Sequence, residues 1–233
     1  MAAIYIPDTV AAFLSGQTTP SGRVDMQKRL SVRHPWQTQA IACDVTGAYS
    51  LTSAPSVTGA RVVADYSGRY IICHGIDLLQ TLDFLDLPLY GDVHLQGAVS
   101  LESLAIANTY FESANCTGCC FLSGVSAANS NLVNGLQLVG CESLVSLDVS
   151  YSLLSALDLS DTPILKYVSI QGSELNAAAC TALLIQCAAN ADAGDLHDGQ
   201  FFYDVTQTPT SEADQAVTFL TSTKGWTVGT PPE

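Results

Sequence analysis

Residues 144–173 read LVSLDVSYSLLSALDLSDTPILKYVSIQGS, and one beat sounds three times in them. Leu144, Leu147 and Val149 are followed by Ser152; Leu154, Leu157 and Leu159 by Thr162; Leu165, Val168 and Ile170 by Ser173. Each copy is an apolar residue, two others, an apolar residue, one other, an apolar residue, two others, then a small polar residue. Upstream, the same beat begins at Val133, Leu122, Phe111, Leu101, Tyr90 and Leu79, with Cys141, Ser130, Cys119 and Thr109 in the ninth place of the nearest four. Successive copies start 10 or 11 residues apart. Self-similarity at a fixed short period is the mark of a chain that stacks coil upon coil.

The Leu147-Asp148-Val149 alternation has period two, so each copy holds a short strand with one buried face. Eleven residues suffice for a strand and a corner, so two copies make one coil of 21 or 22 residues. The expected architecture is a β-rich solenoid with two parallel sheets facing each other across a narrow core. Leu104, Val125, Leu147 and Val168 should form one internal ladder, and Leu136 and Leu157 should stack in the opposite one.

The unit resembles the leucine-rich repeat, written L-x-x-L-x-L-x-x-N/C, over residues 79–173. Ordinary members of that family place a helix or loose segment on the return limb, whereas this chain repeats the motif on both limbs, so little curvature is expected. Thr, Ser or Cys replaces the family's Asn in the ninth place, where a small polar side chain can bond the corner backbone. The close of the chain, a helix followed by Lys224-Gly225-Trp226-Thr227-Val228, is similar to the ending of some leucine-rich-repeat-like proteins of bacteria and their phages.

Outside the repeat the pattern changes. Residues 1–37 read as a strand at Ile4-Tyr5-Ile6, a short helix, a turn-rich linker and a basic stretch, serving for attachment or as a cap. Within the solenoid segment, 38–174, the runs Ala60–Ala64 and Tyr70–Cys73 read as irregular first coils. Residues 175–233 read as a helix–strand–helix–strand α/β cap over the open end of the sheets, whose edges would otherwise be free to pair.

Charge is divided unevenly along the 233 residues. Six basic and four acidic residues precede position 70, a net charge of +2; the rest carries two basic and 18 acidic residues, a net charge of −16. So acidic a body repels phosphate backbones, which excludes nucleic acid as a partner of the solenoid. No run reaches the ~20 apolar residues of a membrane helix. Residues 1–7 lack the basic leader of a signal peptide. The expected locations are therefore the cytoplasm or a virion.

No motif points to catalysis or to a cofactor. Outward strand positions are Asp83, Ala105, Ser126, Asp148 and Ser169 on one sheet, and His94, Asn115, Gln137 and Asp158 on the other. Asp83 and Asp148 are three coils apart, ~14 Å at the usual strand spacing, too far to share one bond. Cys116, Cys119 and Cys141 fall in repeat slots and are expected as free buried thiols without metal. The acidic loops Asp77–Asp92 and Asp192–Asp198 match no full calcium loop. The Asn115-Cys116-Thr117 sequon lies inside the repeat. The expectation is a non-enzymatic module that binds a protein or glycan, through corner loops near Tyr90, Tyr110 and Tyr151 or through a flat sheet face. A structural version docks on a larger assembly such as a phage particle through Arg23, Lys28, Arg29 and Arg33. The alternative is a carbohydrate-active solenoid enzyme, which would need a cleft with two carboxylates.

Overall fold

The computed structural model describes residues 38–42, 56–58, 61–64, 70–74, 79–86 and 90–231. The chain winds as a solenoid with two sheets. The first has β5 (Thr81–Asp83), β7 (Ser103–Ala105), β9 (Gly124–Ser126), β11 (Ser146–Asp148) and β12 (Tyr167–Ser169) side by side in parallel. Its register sets Leu82 beside Leu104, then Val125, Leu147 and Val168, steps of 22, 21, 22 and 21 residues. All five are buried, so the expected ladder is present. The second sheet contains β6 (Tyr90–His94), β8 (Tyr110–Asn115) and β10 (Leu136–Gln137), also parallel, with Val93, Ala114 and Leu136 in register. The two ladders close on each other, and Phe84 meets Phe111 between them at 6.1 Å between ring centroids.

The ninth-place residues explain how so short a coil can turn. The N–H groups of Cys119, Cys141, Ser152, Thr162 and Ser173 donate to the carbonyl three residues earlier, as from Ser173 to Ile170 and Cys141 to Leu138. At one corner the hydroxyls of Thr109, Ser152 and Ser173 donate to the carbonyls of Ile106, Val149 and Ile170 at 2.6–2.7 Å. At the other corner the thiols of Cys119 and Cys141 reach back one coil, to Leu95 O and Cys116 O. Ser, Thr and Cys thus satisfy buried corner carbonyls that would be costly to leave unpaired.

Three features depart from the sequence reading. First, the N-terminal runs are antiparallel additions, unlike the coils they precede. β2 (Ser56–Thr58) pairs antiparallel with β5 on the first sheet. On the second sheet β4 (Tyr70–His74) lies antiparallel between β3 (Arg61–Ala64) and β1 (Thr38–Ala42), which reaches β6 at Ile41 beside Val93. Only five residues join β3 to β4, and so short a link can close a hairpin but never a parallel crossover.

Second, Leu157 does not continue the second ladder. It is half-buried against the core, but residues 152–159 form no strand, and the second sheet ends at β10. α1 (Ala177–Ala193) takes the place of the next strand. Leu159 N–H donates to Gln186 Oε1 at 2.9 Å, and Asn190 Nδ2 donates to Leu159 O and Thr162 O at 3.2 Å. Two carboxamides one helical turn apart therefore occupy backbone groups that a further coil would pair. Replacing both Gln186 and Asn190 by Ala should cost about 0.5–1.5 kcal/mol per lost bond. Hydrogen exchange should then accelerate at the Leu159 amide and stay slow at Leu147.

Third, the tail caps only one sheet. Asn176 accepts from the Ala179 N–H to start α1, and Gly194 ends it. After α1 the chain adds β13 (Gln200–Phe202) in parallel to β12. A second helical segment spans 211–223, with α2 (Asp214–Thr218) at its centre, and leads to β14 (Thr227–Gly229), parallel to β13. The first sheet thus grows by two strands with helical return limbs, while α1 covers the second. Buried Lys224 ties the tail down, with its Nζ 2.7 Å from Asp195 Oδ1 and 5.7 Å from the Phe219 ring centroid.

Candidate binding surface

Two of the three exposed aromatic residues among the described residues, Tyr110 and Tyr151, lie at one corner of the solenoid, while Phe121 lies outside it. After β5, β7, β9, β11 and β12 the backbone enters the left-handed region, at Asp86 (φ +60°), Asn108 (+57°), Asn129 (+53°), Tyr151 (+55°) and Gly172 (+67°). These five exposed residues stack in one row along the corner. Each of the first four donates its N–H to a carbonyl of the next coil, from Asp86 to Ala107, Asn108 to Ala128, Asn129 to Ser150 and Tyr151 to Gln171. Their side chains are joined as well. Asn129 Nδ2 donates to Asn108 Oδ1 at 2.8 Å, and Asn108 Nδ2 to Asp86 Oδ1 at 2.6 Å.

Two residues further on runs a second row, Tyr110, Asn131, Leu153 and Glu174, separated from the first by the buried hydroxyls of Thr109, Ser130, Ser152 and Ser173. Tyr110 is 50% and Tyr151 56% exposed, and Leu153 is also exposed. Tyr90 opens β6 in register with Tyr110 at the start of β8. The structure therefore brings Tyr110 and Tyr151 to the same corner, two coils apart, with the Tyr90 backbone aligned beside Tyr110. Arg23, Lys28, Arg29 and Arg33 lie outside the described residues, as does the Ile4–Ile6 run.

The outer sheet faces are less open than their small residues suggest. Asp83, Ala105, Ser126 and Asp148 are half-buried, and Ser169 is buried. Phe202 sits beside Ser169 in register and meets Tyr167 edge-on at 6.0 Å. Burial, and then the Asp148 carboxylate, raise the Tyr167 hydroxyl above its ordinary range against the hydrogen bond from Ser169.

The outward acids and amides serve the turns. Asp83 Oδ1 accepts from Leu85 N–H, Asn115 Oδ1 from Thr117 N–H, Asp148 Oδ1 from Ser150 N–H and Asp158 Oδ1 from Ser160 N–H, all at 2.9–3.0 Å. These are Asx-turns, three of them at strand ends and that of Asp158 on the strandless limb after β11. The Ser160 backbone N–H, followed by the Ser160 side chain, holds the Asp158 carboxyl below its ordinary value. Where the second sheet stops, Asp161 Oδ2 accepts from Gly140 N–H at 3.1 Å. A shallow cleft of about 130 Å³ remains there, lined by Leu136, Gln137, Val139, Asp158 and Asp161. In the acidic loop after α1, Asp195 is engaged by Lys224 and by His197 at 3.1 Å, which hold its carboxyl low.

The thiols of Cys116, Cys119, Cys141, Cys180 and Cys187 are free and buried, and that of Cys120 is half-buried. The side chains of Cys43 and Cys73 are outside the described residues. The neighbouring Cys119 thiol, and then burial, push Cys116 well above the ordinary range. Burial pushes Cys141, Cys180 and Cys187 up to about 12. A thiol raised in the folded state adds stability that is fully present below its unfolded pKa near 9.0 and is lost as pH climbs towards the folded value. The denaturant midpoint should therefore fall between pH 9 and 12. At pH 8 iodoacetamide should label Cys120 in the native protein well before the five buried thiols, which react only on unfolding. Rapid native labelling of Cys187 would contradict its burial.

Among the described residues no group of three His, Cys, Asp or Glu side chains is arranged to hold a metal ion, and no helix is long and apolar enough to cross a membrane. No protein-family model matches the chain, and no curated protein matches it in sequence.

Proposed function

We propose that this chain is a non-enzymatic binding module, with leucine-rich-repeat-like coils, whose corner bearing Tyr110, Tyr151 and Leu153 contacts a protein or a glycan. The supporting observation is that Tyr110 and Tyr151, two of the three exposed aromatic residues among the described residues, lie together with exposed Leu153 at one corner. Tyr and other amphipathic aromatic residues supply large contact area at low entropic cost and are the usual anchors of recognition surfaces. The backbone beneath the corner is held by a continuous row of hydrogen bonds from Asp86 to Tyr151, which supports a surface formed before any ligand arrives.

In the assembly form of this reading, Arg23, Lys28, Arg29 and Arg33 dock the module electrostatically on a larger acidic partner such as a phage particle. The acidic body then stays clear of the docking surface.

The test is retention of the purified chain in native gels containing soluble polysaccharides, together with co-sedimentation with intact phage particles. The wild type should be retained in at least one setting. The Tyr110→Ser/Tyr151→Ser variant should lose corner-dependent retention. Changing the four basic residues to Gln should abolish particle docking alone. Equal retention of wild type and the tyrosine variant would place the contact surface elsewhere.

A further inference from the structure

The corner slot held by Asp86, Asn108, Asn129, Tyr151 and Gly172 demands a left-handed backbone. Asp, Asn and Gly adopt that region readily, whereas for a bulky side chain it is an outlier. Tyr151 at φ +55° is therefore strained in a place where Asn would extend the existing amide ladder at less cost. Strain of this kind persists where the surroundings enforce it, and it clusters at functional positions.

Tyr151 is tied to the next coil by its N–H bond to Gln171 O at 2.7 Å and by the packing of its ring. A Cβ on Gly172 would stand 2.4 Å from Tyr151 Cδ1 and 2.7 Å from Cε1. The ring thus occupies the space that any other residue at 172 would fill, and it lies against the next coil with 56% of the residue still exposed. Beside it, the Asn129–Asn108–Asp86 chain fixes the direction of each amide. A ladder bond uses one N–H of each Asn, so the second N–H of Asn108 and of Asn129, and the Asn129 oxygen, remain to meet a ligand.

We propose that this row is a subsite for an extended neutral glycan. The proposal rests on the binding reading above and names its ligand class. The Tyr151 ring receives the C–H face of one pyranose, and Asn129, Asn108 and Asp86 bond hydroxyls of the sugars that follow. Coils advance by ~4.8 Å, close to the length one sugar adds to an extended chain, so successive coils can address successive sugars. A nucleobase could also stack on a tyrosine, but its phosphates would approach a body of net charge −16 over residues 70–233. The same repulsion disfavours uronate and sulfated glycans.

The experiment is calorimetric titration of the full chain with cellohexaose, chitohexaose and mannohexaose, with polygalacturonate as the anionic control. At least one neutral hexasaccharide should bind with a dissociation constant of about 1 mM or tighter. Tyr151→Asn should weaken it by about tenfold or more, while raising the urea midpoint, because it relieves strain and lengthens the amide ladder. Tyr151→Phe should retain binding. A lowered midpoint in Tyr151→Asn would make Tyr151 a structural residue and overturn the proposal. Unchanged glycan affinity in Tyr151→Asn would remove the subsite while leaving the binding reading intact. Retention of a protein or particle with no neutral hexasaccharide bound would do the same. Polygalacturonate binding as tightly as the neutral sugars would refute the charge argument.

Discussion

Leu147→Ala lowers the free energy of unfolding by about 2–5 kcal/mol, the range for emptying a close-packed apolar site. Leu147 is wholly buried and lies in register between Val125 and Val168, so both neighbours in its ladder lose contacts when it shrinks. The site cannot collapse easily, because the strands on either side are held at fixed spacing by the sheet. Urea titration followed by circular dichroism measures the effect directly. A loss below about 0.5 kcal/mol would mean that the site is not packed as described.

Gln207→Leu should have an effect of similar size through polar groups. Gln207 is completely buried, and its Nε2 donates to Ile170 O at 2.8 Å, Ser173 O at 3.1 Å and Ser173 Oγ at 2.9 Å. Its Oε1 accepts from Asp204 N–H at 3.1 Å. One carboxamide therefore joins the last repeat corner to the turn after β13. Leucine has similar bulk but leaves buried backbone groups unpaired, at about 1–3 kcal/mol each. The melting temperature should fall by several degrees, and amide exchange should rise at Ser173 and Asp204 before it rises in β7 or β9. A variant as stable as the wild type would show that water replaces the amide.

The spacing of ten and eleven residues made the first-sheet ladder legible because buried apolar residues leave a periodic mark. The ninth-place hydroxyls were legible for the same reason, and their bonds to corner carbonyls are present at Thr109, Ser152, Thr162 and Ser173. The helix beginning near Leu175 was announced by its change of period, whereas its Asn176 cap shows only in the structure.

Other features left no such mark. Antiparallel strands alternate in the same way as parallel ones, so β3 and β4 could not be told from coil strands by pattern; only the short link between them bears on direction. Leu157 carries the full motif yet stands outside the sheet, because Gln186 and Asn190 of a helix read as a separate cap claim the backbone beside it. Asp83, Asp148 and Asp158 looked like outward acids, and their use in turns shows only once the backbone two residues ahead is placed.

The candidate site was legible in part. Tyr110 and Tyr151 were picked out as corner residues, and they do share one edge. The Asp86–Asn108–Asn129 ladder could be found from the recurrence of Asp and Asn at intervals of 22 and 21 residues in a turn position. The left-handed backbone of Tyr151 had no such signal, since nothing in a tyrosine's chemistry favours that region.

The claim that this corner binds without transforming its ligand is tested most directly by a time course of product formation. The purified chain is incubated with the polysaccharide that retains it in native gels, and new reducing and unsaturated chain ends are measured as protein concentration rises. The binding account predicts no increase over a protein-free control, with the polysaccharide recovered at full length. Chain ends that accumulate in proportion to protein, and that vanish when an outward carboxylate such as Asp148 or Asp158 is changed to Asn, would contradict it and make the chain a carbohydrate-active enzyme.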